Sequence, residues 1–229
     1  MSLYVIGDLH LAIGAPEKNM EVFGGRWEGY LEKIRRGFAL LRDEDTCVIC
    51  GDLCWSMDLA SALPDFRFLN SLPGRKVLVK GNHDYWWTTA AKMTNFFAEN
   101  GLNTLSLLHN NCVLWEELAL CGTRGWFYEE ETGAGHDEKI LRREAGRLVT
   151  SLQAGGEREK LAFLHYPPLY QQYACPEIMK PLADYGVREC YYGHIHGKGC
   201  HAAFMGDLDG VKYRLISGDY LDFFPYKIR

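Results

Sequence analysis

The sequence has 229 residues, of which 47% are hydrophobic, and we predict that residues 1–229 form a single domain with an ample core. Its apolar runs are far shorter than the roughly 20 residues that a membrane-spanning helix needs, and no basic segment followed by a long apolar stretch marks a secretory signal, so we expect a cytoplasmic protein with no membrane partner. The formal net charge of −5 argues against a large nucleic-acid surface, because such surfaces are basic.

Five short apolar stretches, each followed by glycine or a polar cluster, are predicted to be interior strands of a covered sheet. In chain order they are Tyr4–Gly7, Cys47–Gly51, Val77–Gly81, Leu161–His165 and Cys190–Gly193. Apolar residues at helical spacing predict three intervening helices, at Trp27–Leu41, Trp86–Phe97 and Ile140–Leu152. Strands and helices therefore alternate along most of the chain.

Two further segments are predicted to form antiparallel hairpins. The first pairs Cys112–Leu114 with Leu118–Cys121, and the second pairs Ala202–Met205 with Val211–Ile216 around the turn dipeptide Asp209-Gly210. Alternating strands and helices with added hairpins predict an α/β fold with mixed sheets.

The eight cysteines are predicted to be reduced thiols, because no secretory signal is apparent. Cys47 and Cys50 have the spacing of half a zinc knuckle, but no second Cys-x-x-Cys pair follows at a useful distance. Both lie in an apolar stretch, where free cysteine packs as a small hydrophobic side chain. We therefore predict buried thiols at these two positions.

Polar side chains follow all five predicted strands. The segments are Gly7-Asp8-Leu9-His10, Gly51-Asp52, Gly81-Asn82-His83-Asp84, Leu164-His165 and Gly193-His194-Ile195-His196. Ligands of open α/β sheets bind just beyond the carboxyl ends of the strands, so these side chains are predicted to surround one crevice. The glycines that precede most of these motifs are expected to let the backbone turn sharply out of the sheet.

This set of side chains has the chemistry of a metal site. Carboxylate, amide and imidazole ligands together suit borderline metals such as Mn, Fe, Zn, Co or Ni. The candidates are too many for one tetrahedral site, and two adjacent metals that share a carboxylate would use them all: Asp8, His10, Asp52, Asn82, His165, His194 and His196. Each motif alone is also typical of an ordinary turn or a structural histidine, so the prediction depends on their shared placement.

In this order, the motifs from Asp8 to His196 resemble those of the calcineurin-like metallophosphoesterases. The resemblance implies a four-layer α/β/β/α sandwich with two mixed β-sheets and a dinuclear metal site at the carboxyl ends of the strands. It implies one site formed by Asp8, His10, Asp52 and His196. It implies a second site formed by Asn82, His165 and His194, with Asp52 as the bridge. The implied cofactors are two divalent or trivalent ions of Mn, Fe, Zn, Ni or Co.

The resemblance also implies that His83 meets the substrate as a general acid or transition-state stabiliser. The phosphoprotein phosphatase branch continues its second motif as Gly-Asp-x-Val-Asp-Arg-Gly, whereas Gly51-Asp52 is followed here by Leu-Cys-Trp-Ser-Met-Asp. The Asp that would orient the catalytic histidine and the Arg that would bind phosphate are absent there, which argues against a dedicated Ser/Thr phosphatase. Asp84 or Asp58 is left as the candidate to orient His83.

Residues outside the motifs are candidates for substrate recognition. Arg124 is a candidate phosphate ligand, because a guanidinium fork matches phosphate geometry. Aromatic residues near the motifs could stack on a base or pack on an acyl chain: Tyr85, Trp86, Trp87, Trp126, Phe127, Tyr128, Tyr166, Tyr170 and Tyr173. For Trp86 and Trp87 we favour a place in the core at the start of a helix. We expect surface or loop positions for His109, His136, His201 and the acidic run Glu129–Glu131.

The predicted function is a metal-dependent phosphohydrolase that cleaves a small phosphomonoester or phosphodiester by direct attack of a metal-bridging hydroxide. One alternative is a nuclease, which the acidic charge balance disfavours. Another is a non-catalytic metal-binding scaffold of the same fold, against which the full ligand set and His83 argue. The sequence leaves the oligomeric state open.

Overall fold

The computed structural model describes residues 1–126 and 134–229, with side chains from residue 138 onward in the second range. Phe127, Tyr128, the run Glu129–Glu131 and the side chain of His136 therefore lie outside the described residues. In the parts of the chain that are described, no helix combines the length and the apolar character needed to cross a bilayer.

The strands and helices alternate as the sequence predicts. The strands are β1 (Leu3–Ile6), β2 (Thr46–Cys50), β3 (Arg75–Val79), β4 (Leu105–Leu107), β5 (Val113–Trp115), β6 (Leu118–Thr123), β7 (Glu159–Leu164), β8 (Leu169–Tyr170), β9 (Tyr173–Ala174), β10 (Glu189–Tyr192), β11 (Gly206–Leu208), β12 (Val211–Leu215) and β13 (Tyr226–Lys227). The helices are α1 (Tyr30–Phe38), α2 (Leu63–Ser71), α3 (Ala90–Glu99), α4 (Ala134–Ala154) and α5 (Pro176–Asp184). Short 3₁₀ turns cover Pro16–Lys18, Met20–Phe23, Gly25–Trp27 and Gly197–Ala202.

Two large mixed sheets form the centre of the fold. The first has the order β13-β1-β2-β3-β4, with β1 to β4 parallel and β13 antiparallel to β1. The second has the order β11-β12-β10-β7-β6-β5, with a parallel centre and antiparallel strands at both edges. Strands after residue 198 complete both sheets, since β12 pairs with β10 and β13 pairs with β1.

Three apolar clusters show how the layers stack. Between the sheets, Val48 and Val77 of the first sheet pack in one cluster with Phe163 and Tyr191 of the second. Helices α1, α2 and α3 cover the outer face of the first sheet, with Phe66 among the buried contacts. Helices α4 and α5 cover the outer face of the second sheet. The predicted four-layer α/β/β/α sandwich is therefore confirmed.

Strand β2 explains why its two cysteines cannot form a zinc knuckle. Successive side chains of a strand point to opposite faces, so Cys47 packs under the helices and Cys50 packs between the sheets. Both are fully buried, and burial raises the pKa of each thiol. All eight cysteines are free thiols.

The structure corrects two of the predicted elements. Trp86 and Trp87 are buried, as predicted, but they precede α3, which begins at Ala90 after the N-cap Thr89. The second hairpin is shorter than predicted, because residues up to Ala202 belong to a 3₁₀ turn. The hydroxyl of Tyr192 then donates a hydrogen bond of 2.5 Å to the carbonyl of Phe204, and β11 begins only at Gly206.

Candidate metal centre

The loops that carry the polar motifs are hydrogen-bonded to one another beyond the sheet ends. The amide of Asp8 donates to the carbonyl of Gly51 (2.9 Å), and the amide of His10 donates to the carbonyl of Asp52 (2.9 Å). From the second sheet, the amide of Gly193 donates to the carbonyl of His165 (3.0 Å). The amide of His83 donates to Oδ1 of Asp52 (2.8 Å), and the amide of His194 donates to Oδ1 of Asp8 (3.0 Å), so all five strand ends meet at one edge of the sandwich, as predicted.

The backbone turns at the ligand residues themselves. Asp8, His10, Asp52 and His194 take φ values of 56°, 44°, 50° and 73°. Side-chain-bearing residues seldom adopt this left-handed region, and residues that do so cluster at functional sites. The expectation that the preceding glycine makes the turn holds for Gly51 (φ 82°) and was wrong for Gly7, Gly81 and Gly193, which do not take a positive φ.

Gly81 and Gly193 are needed because carboxylate-bearing loops approach them closely. A Cβ atom on Gly81 would lie 2.1 Å from the amide nitrogen of Asp52, and one on Gly193 would lie 2.3 Å from Oδ2 of Asp8. Real Cβ atoms do not make such contacts, so a side chain at either position would displace a candidate metal ligand.

Two groups of donor atoms lie side by side in the crevice. One group consists of Asp8, His10 and His196, and the other of Asp52, His165 and His194, with the donor atoms of each group within 4.8 Å of one another. The Nε2 atoms of His10 and His196 are 3.3 Å apart. In the second group, Oδ1 of Asn82 lies 2.6 Å from Nε2 of His165 and 3.1 Å from Nδ1 of His194.

Asp52 connects the two groups. Its Oδ2 atom lies 3.6 Å from Nε2 of His10 and 3.6 Å from Nε2 of His165. Its other oxygen accepts a 2.8 Å hydrogen bond from the amide of His83, which fixes the carboxylate. The sequence-predicted ligand residues are thus brought together, and Oδ2 of Asp52 lies between the two groups.

The donor spacing fits bound cations. Two donors at about 2.1 Å from one tetrahedral ion are about 3.4 Å apart. Nε2 of His196 lies 3.3 Å from Nε2 of His10 and 3.6 Å from Oδ1 of Asp8, close to this value. Burial lowers the pKa of His10 well below its ordinary value and the pKa values of His165 and His194 to about 3, so these rings are neutral, the form that binds metals. Burial, together with the neighbouring carboxylates of Asp84 and Asp8, raises the pKa of Asp52. Cations at this place would compensate the buried carboxylates.

A family model described as calcineurin-like phosphoesterase matches residues 1–198. The chain belongs to the calcineurin-like phosphoesterase family. Members of this family typically bind divalent metals, in agreement with the two donor groups.

Solved structures show the same fold at low sequence identity. A protein of unknown function from Aquifex aeolicus has 17% sequence identity and a TM-score of 0.56. The alignment covers 99% of this chain and 95% of the Aquifex chain. A phosphopantetheinyl hydrolase from Mycobacterium tuberculosis has 13% sequence identity and a TM-score of 0.59. The alignment covers 99% of this chain and 95% of the hydrolase chain. No curated protein matches the sequence significantly.

In this calcineurin-like phosphoesterase, a backbone carbonyl and a carboxylate behind the metal-facing side chains accept hydrogen bonds from two of the histidines and orient their rings. Nδ1–H of His165 donates to the carbonyl of Cys50 (3.1 Å), which leaves the lone pair of Nε2 directed toward Asn82 and Asp52. Nδ1–H of His196 donates to Oδ1 of Asp219 (2.8 Å), and the other oxygen of Asp219 accepts from the amide of Gly197 (2.8 Å). Burial alone would lower the pKa of His196. The negative charges of Asp8 and Asp219 outweigh the effect of burial, and the pKa of His196 is raised to about 10.

Asp219 was missed by the sequence analysis. It follows β12 in the segment Ser217-Gly218-Asp219. The Gly-Asp dipeptide was therefore a signal in the sequence, but the strand before it contains Lys212 and Arg214 and does not read as an apolar interior strand. Its carboxylate is 1% exposed. A sixth strand end therefore contributes to the centre, behind the ligands rather than among them.

His83 lies half-buried at the mouth of the crevice. Its ring centroid is 4.4 Å from that of Trp55, and its Nδ1 atom lies 3.3 Å from the hydroxyl of Tyr85. Burial lowers the pKa of His83, with Asp8 acting in the opposite direction. The ring is therefore neutral near pH 7.

Asp84 and Asp58 do not orient the ring of His83. The buried carboxylate of Asp84 accepts hydrogen bonds from the amides of Gly81 (2.7 Å), Asp52 (3.0 Å) and Leu53 (2.8 Å) and from the Trp86 indole N–H (3.1 Å). It joins the loop that carries Asp52 to the loop that carries His83, so it is a positioning residue. Asp58 is exposed and bonds to Ser61. The ring of His83 instead packs against Trp55 and lies within hydrogen-bond distance of the Tyr85 hydroxyl.

Arg124 is engaged by other side chains. Its Nη2 atom lies 3.5 Å from Oε1 of the buried Glu144, and its guanidinium packs over the rings of Trp126 and Tyr166. Glu144 also bonds Arg147 at 2.7 Å. A phosphate contact from Arg124 would require the guanidinium to leave this ion pair, so the structure favours a supporting role.

Aromatic rings surround the ligands. Trp55 stacks on His10 with centroids 5.0 Å apart, and Tyr166 meets His194 edge-on at 4.5 Å. Trp27, predicted to lie in a helix, instead ends a 3₁₀ turn and places its ring 5.7 Å from that of His10. Outside the centre, His109 is half-buried against Trp87, and His201 is exposed, as expected for a loop histidine.

Proposed function

We propose that this protein is a metal-dependent phosphohydrolase that cleaves a small phosphomonoester or phosphodiester with water as the direct nucleophile. The observation that carries the proposal is the position of Asp52, whose Oδ2 atom is 3.6 Å from Nε2 of both His10 and His165. Two sites that share one carboxylate hold their ions close together, which is the arrangement that in-line displacement at phosphorus uses.

The ligand set would consist of two overlapping groups. Asp8, His10, Asp52 and His196 would hold one ion, and Asp52, Asn82, His165 and His194 would hold the other. When bound, the ions would neutralise the phosphoryl oxygens and lower the pKa of water. The mixed nitrogen and oxygen donors suit Mn, Fe, Zn, Ni or Co.

His83 would act on the leaving group. If Nδ1 accepts from the Tyr85 hydroxyl, Nε2 carries the proton and can donate to an oxygen of the substrate. Because burial lowers the pKa of His83, this donor is a neutral imidazole. That favours hydrogen bonding to the developing negative charge over transfer from an imidazolium.

No covalent nucleophile is proposed. Cys50 and Cys54, the cysteines closest in sequence to Asp52, are both buried, and burial raises the pKa of each thiol well above its ordinary value, which keeps them protonated. Water would therefore attack phosphorus directly. One displacement by water should invert the configuration at a chiral phosphorus of the substrate. Net retention or a trapped phosphoenzyme would refute direct attack.

The test is hydrolysis of p-nitrophenyl phosphate and bis-p-nitrophenyl phosphate after metal removal by a chelator and after addition of Mn²⁺. The proposal expects activity on at least one ester only after the metal is restored. Metal binding without hydrolysis of either ester would instead support a non-catalytic scaffold. Preferential cleavage of single-stranded DNA or RNA would support the nuclease alternative.

A further inference from the structure

A cavity of about 600 Å³ opens next to the metal centre, on the side of His196. Its wall includes Met20, Phe23, Arg26, Trp27, Lys198 and His201. Cavities of roughly 300 to 1,000 Å³ are typical of sites for small organic ligands. Because His196 is also a candidate metal ligand, a molecule in this cavity would lie beside any phosphoryl group at the centre.

One wall of the cavity is apolar. It is built by the 3₁₀ turns Met20–Phe23 and Gly25–Trp27, with Met20 and Trp27 buried beneath. The phenyl ring of Phe23 is 71% exposed. An exposed aromatic ring at the edge of a cavity is a favourable contact for a flat apolar group, because stacking removes the apolar surface of both from water.

The charge that the cavity offers is positive. Arg26 and Lys198 are exposed cations on its wall, and the lining carboxylate of Asp219 is already bonded to His196 and to the Gly197 amide. Arg26 is held in place, since its Nη1 atom donates to the Asp219 carbonyl (3.0 Å) and its own carbonyl accepts from Nζ of Lys33 (2.7 Å). An anion is therefore the complementary ligand.

We propose that this cavity binds the body of the leaving group, and that this body is flat and apolar with an anionic group of its own, as in a nucleoside phosphate. Its ester oxygen would meet His83, and the body would extend past His10 to the side of His196, since the ring of His10 is 5.8 Å from that of His83 and 5.2 Å from that of His196. The inference rests on the proposed phosphohydrolase function. In the reaction, the bond between phosphorus and the nucleoside oxygen breaks as the oxygen of water bonds to phosphorus. A proton ends on the nucleoside oxygen, and the products are inorganic phosphate and the nucleoside phosphate. The second phosphate would pair with Arg26 and Lys198.

The experiment compares adenosine 3′,5′-bisphosphate with adenosine 3′-monophosphate and adenosine 5′-monophosphate on the Mn²⁺-loaded enzyme. The three compounds share one nucleoside. The bisphosphate carries phosphates on both the 3′ and the 5′ hydroxyl, and each monophosphate lacks one of them. We expect kcat/KM for the bisphosphate to exceed that for either monophosphate by about tenfold or more, since a charge-assisted contact contributes about 1.5 to 3 kcal/mol. Inhibition of p-nitrophenyl phosphate hydrolysis by each compound gives a second measure of binding.

Substitutions of the cavity wall test the assignment. Arg26→Ala and Lys198→Ala should each reduce the preference for the bisphosphate by about tenfold, and Phe23→Ala should weaken binding of all three nucleotides. Lys180→Ala is the matched control, because Lys180 is an exposed lysine of α5 that pairs with Asp184. It should leave the preference unchanged.

Each outcome is decisive. Equal inhibition by the bisphosphate and the monophosphates, or a preference that survives both cation substitutions, would overturn the inference. An equal preference for fructose 1,6-bisphosphate over fructose 6-phosphate would refute the flat apolar body. If the wild-type enzyme with Mn²⁺ hydrolyses no phosphoester, the proposed function fails. If it hydrolyses p-nitrophenyl phosphate but shows no second-phosphate effect, only this inference fails.

Discussion

Oδ1 of Asp219 lies 2.8 Å from Nδ1 of His196, and this hydrogen bond leaves Nε2 of His196 facing Oδ1 of Asp8 at 3.6 Å. The carboxylate therefore sets the ring orientation that directs Nε2 into the donor group, where a bound cation would take the place of the proton on Nε2. The same residue contacts Arg26 through its carbonyl, so one position supports both the metal centre and the neighbouring cavity.

Substitution Asp219→Ala should weaken metal binding at the site formed by Asp8, His10 and His196. Loss of a second-layer carboxylate typically lowers metal affinity by about 10- to 100-fold. Metal content after dialysis against a graded chelator measures this effect. Asp207→Ala, at an exposed position of β11, is the control and should retain wild-type metal content. Unchanged affinity in the Asp219 variant would contradict the assigned role.

Asp52 and His83 should separate metal binding from turnover. Asp52→Ala removes the carboxylate between the two donor groups, so we expect loss of both ions. His83→Ala removes a residue outside both donor groups, so we expect full metal content with activity reduced by about 10²- to 10⁴-fold. Elemental emission analysis and ester hydrolysis on the same preparations distinguish the two results. Full metal content in the Asp52 variant would disprove its bridging position.

The ligand positions were predictable because they depend on local sequence. Interior strands such as β2 are apolar on both faces, and a polar residue directly after them is conspicuous. By contrast, helix α2 has a weakly amphipathic sequence. Helix α5 is amphipathic, but Pro181 inside it is a residue that usually ends a helix. Both form through tertiary packing of residues such as Phe66 and Ile178.

Partnerships across the fold were not predictable. Arg124 precedes a glycine in a loop, a reasonable place for a phosphate ligand, yet its guanidinium pairs with Glu144 from α4. Asp84 follows His83 directly, yet the turn directs its carboxylate to the amides of the Asp52 loop. In both cases the partner lies at least 20 residues away, and local spacing carries no information about it.

Because the chain packs closely at Gly81 and Gly193, we expect that replacing either glycine by alanine will disrupt the metal centre. Gly81→Ala and Gly193→Ala would place Cβ atoms 2.1 Å from Asp52 and 2.3 Å from Asp8, so both should lose metal and activity. Gly146→Ala is the control, because an added Cβ there meets no atom within 4 Å. As Gly146 lies inside α4, alanine should stabilise the fold by about 0.5 to 1 kcal/mol. Thermal denaturation and metal analysis of the three variants test this contrast.

Lys76 predicts a pH dependence of stability that is independent of the metal centre. Its side chain is fully buried in β3, and its ammonium donates hydrogen bonds to the carbonyl of Leu72 and to Oγ1 of Thr104. Burial lowers the pKa of Lys76 to about 8. An unfolded chain keeps the ordinary lysine pKa of about 10.4.

Between about pH 8 and 10.4 the unfolded state therefore binds a proton that the folded state has lost, and the contribution of Lys76 to stability rises with pH in this window. Urea denaturation of wild type and Lys76→Met at pH 7 and pH 10 measures this contribution. The other titrating groups are common to both proteins, so their effects cancel in the difference between the two free energies of unfolding. We expect the wild type to gain roughly 2 to 3 kcal/mol relative to Lys76→Met on going to pH 10. Lys180→Met, at an exposed lysine, should show no such change. A constant difference between wild type and Lys76→Met would mean that Lys76 stays charged in the folded state.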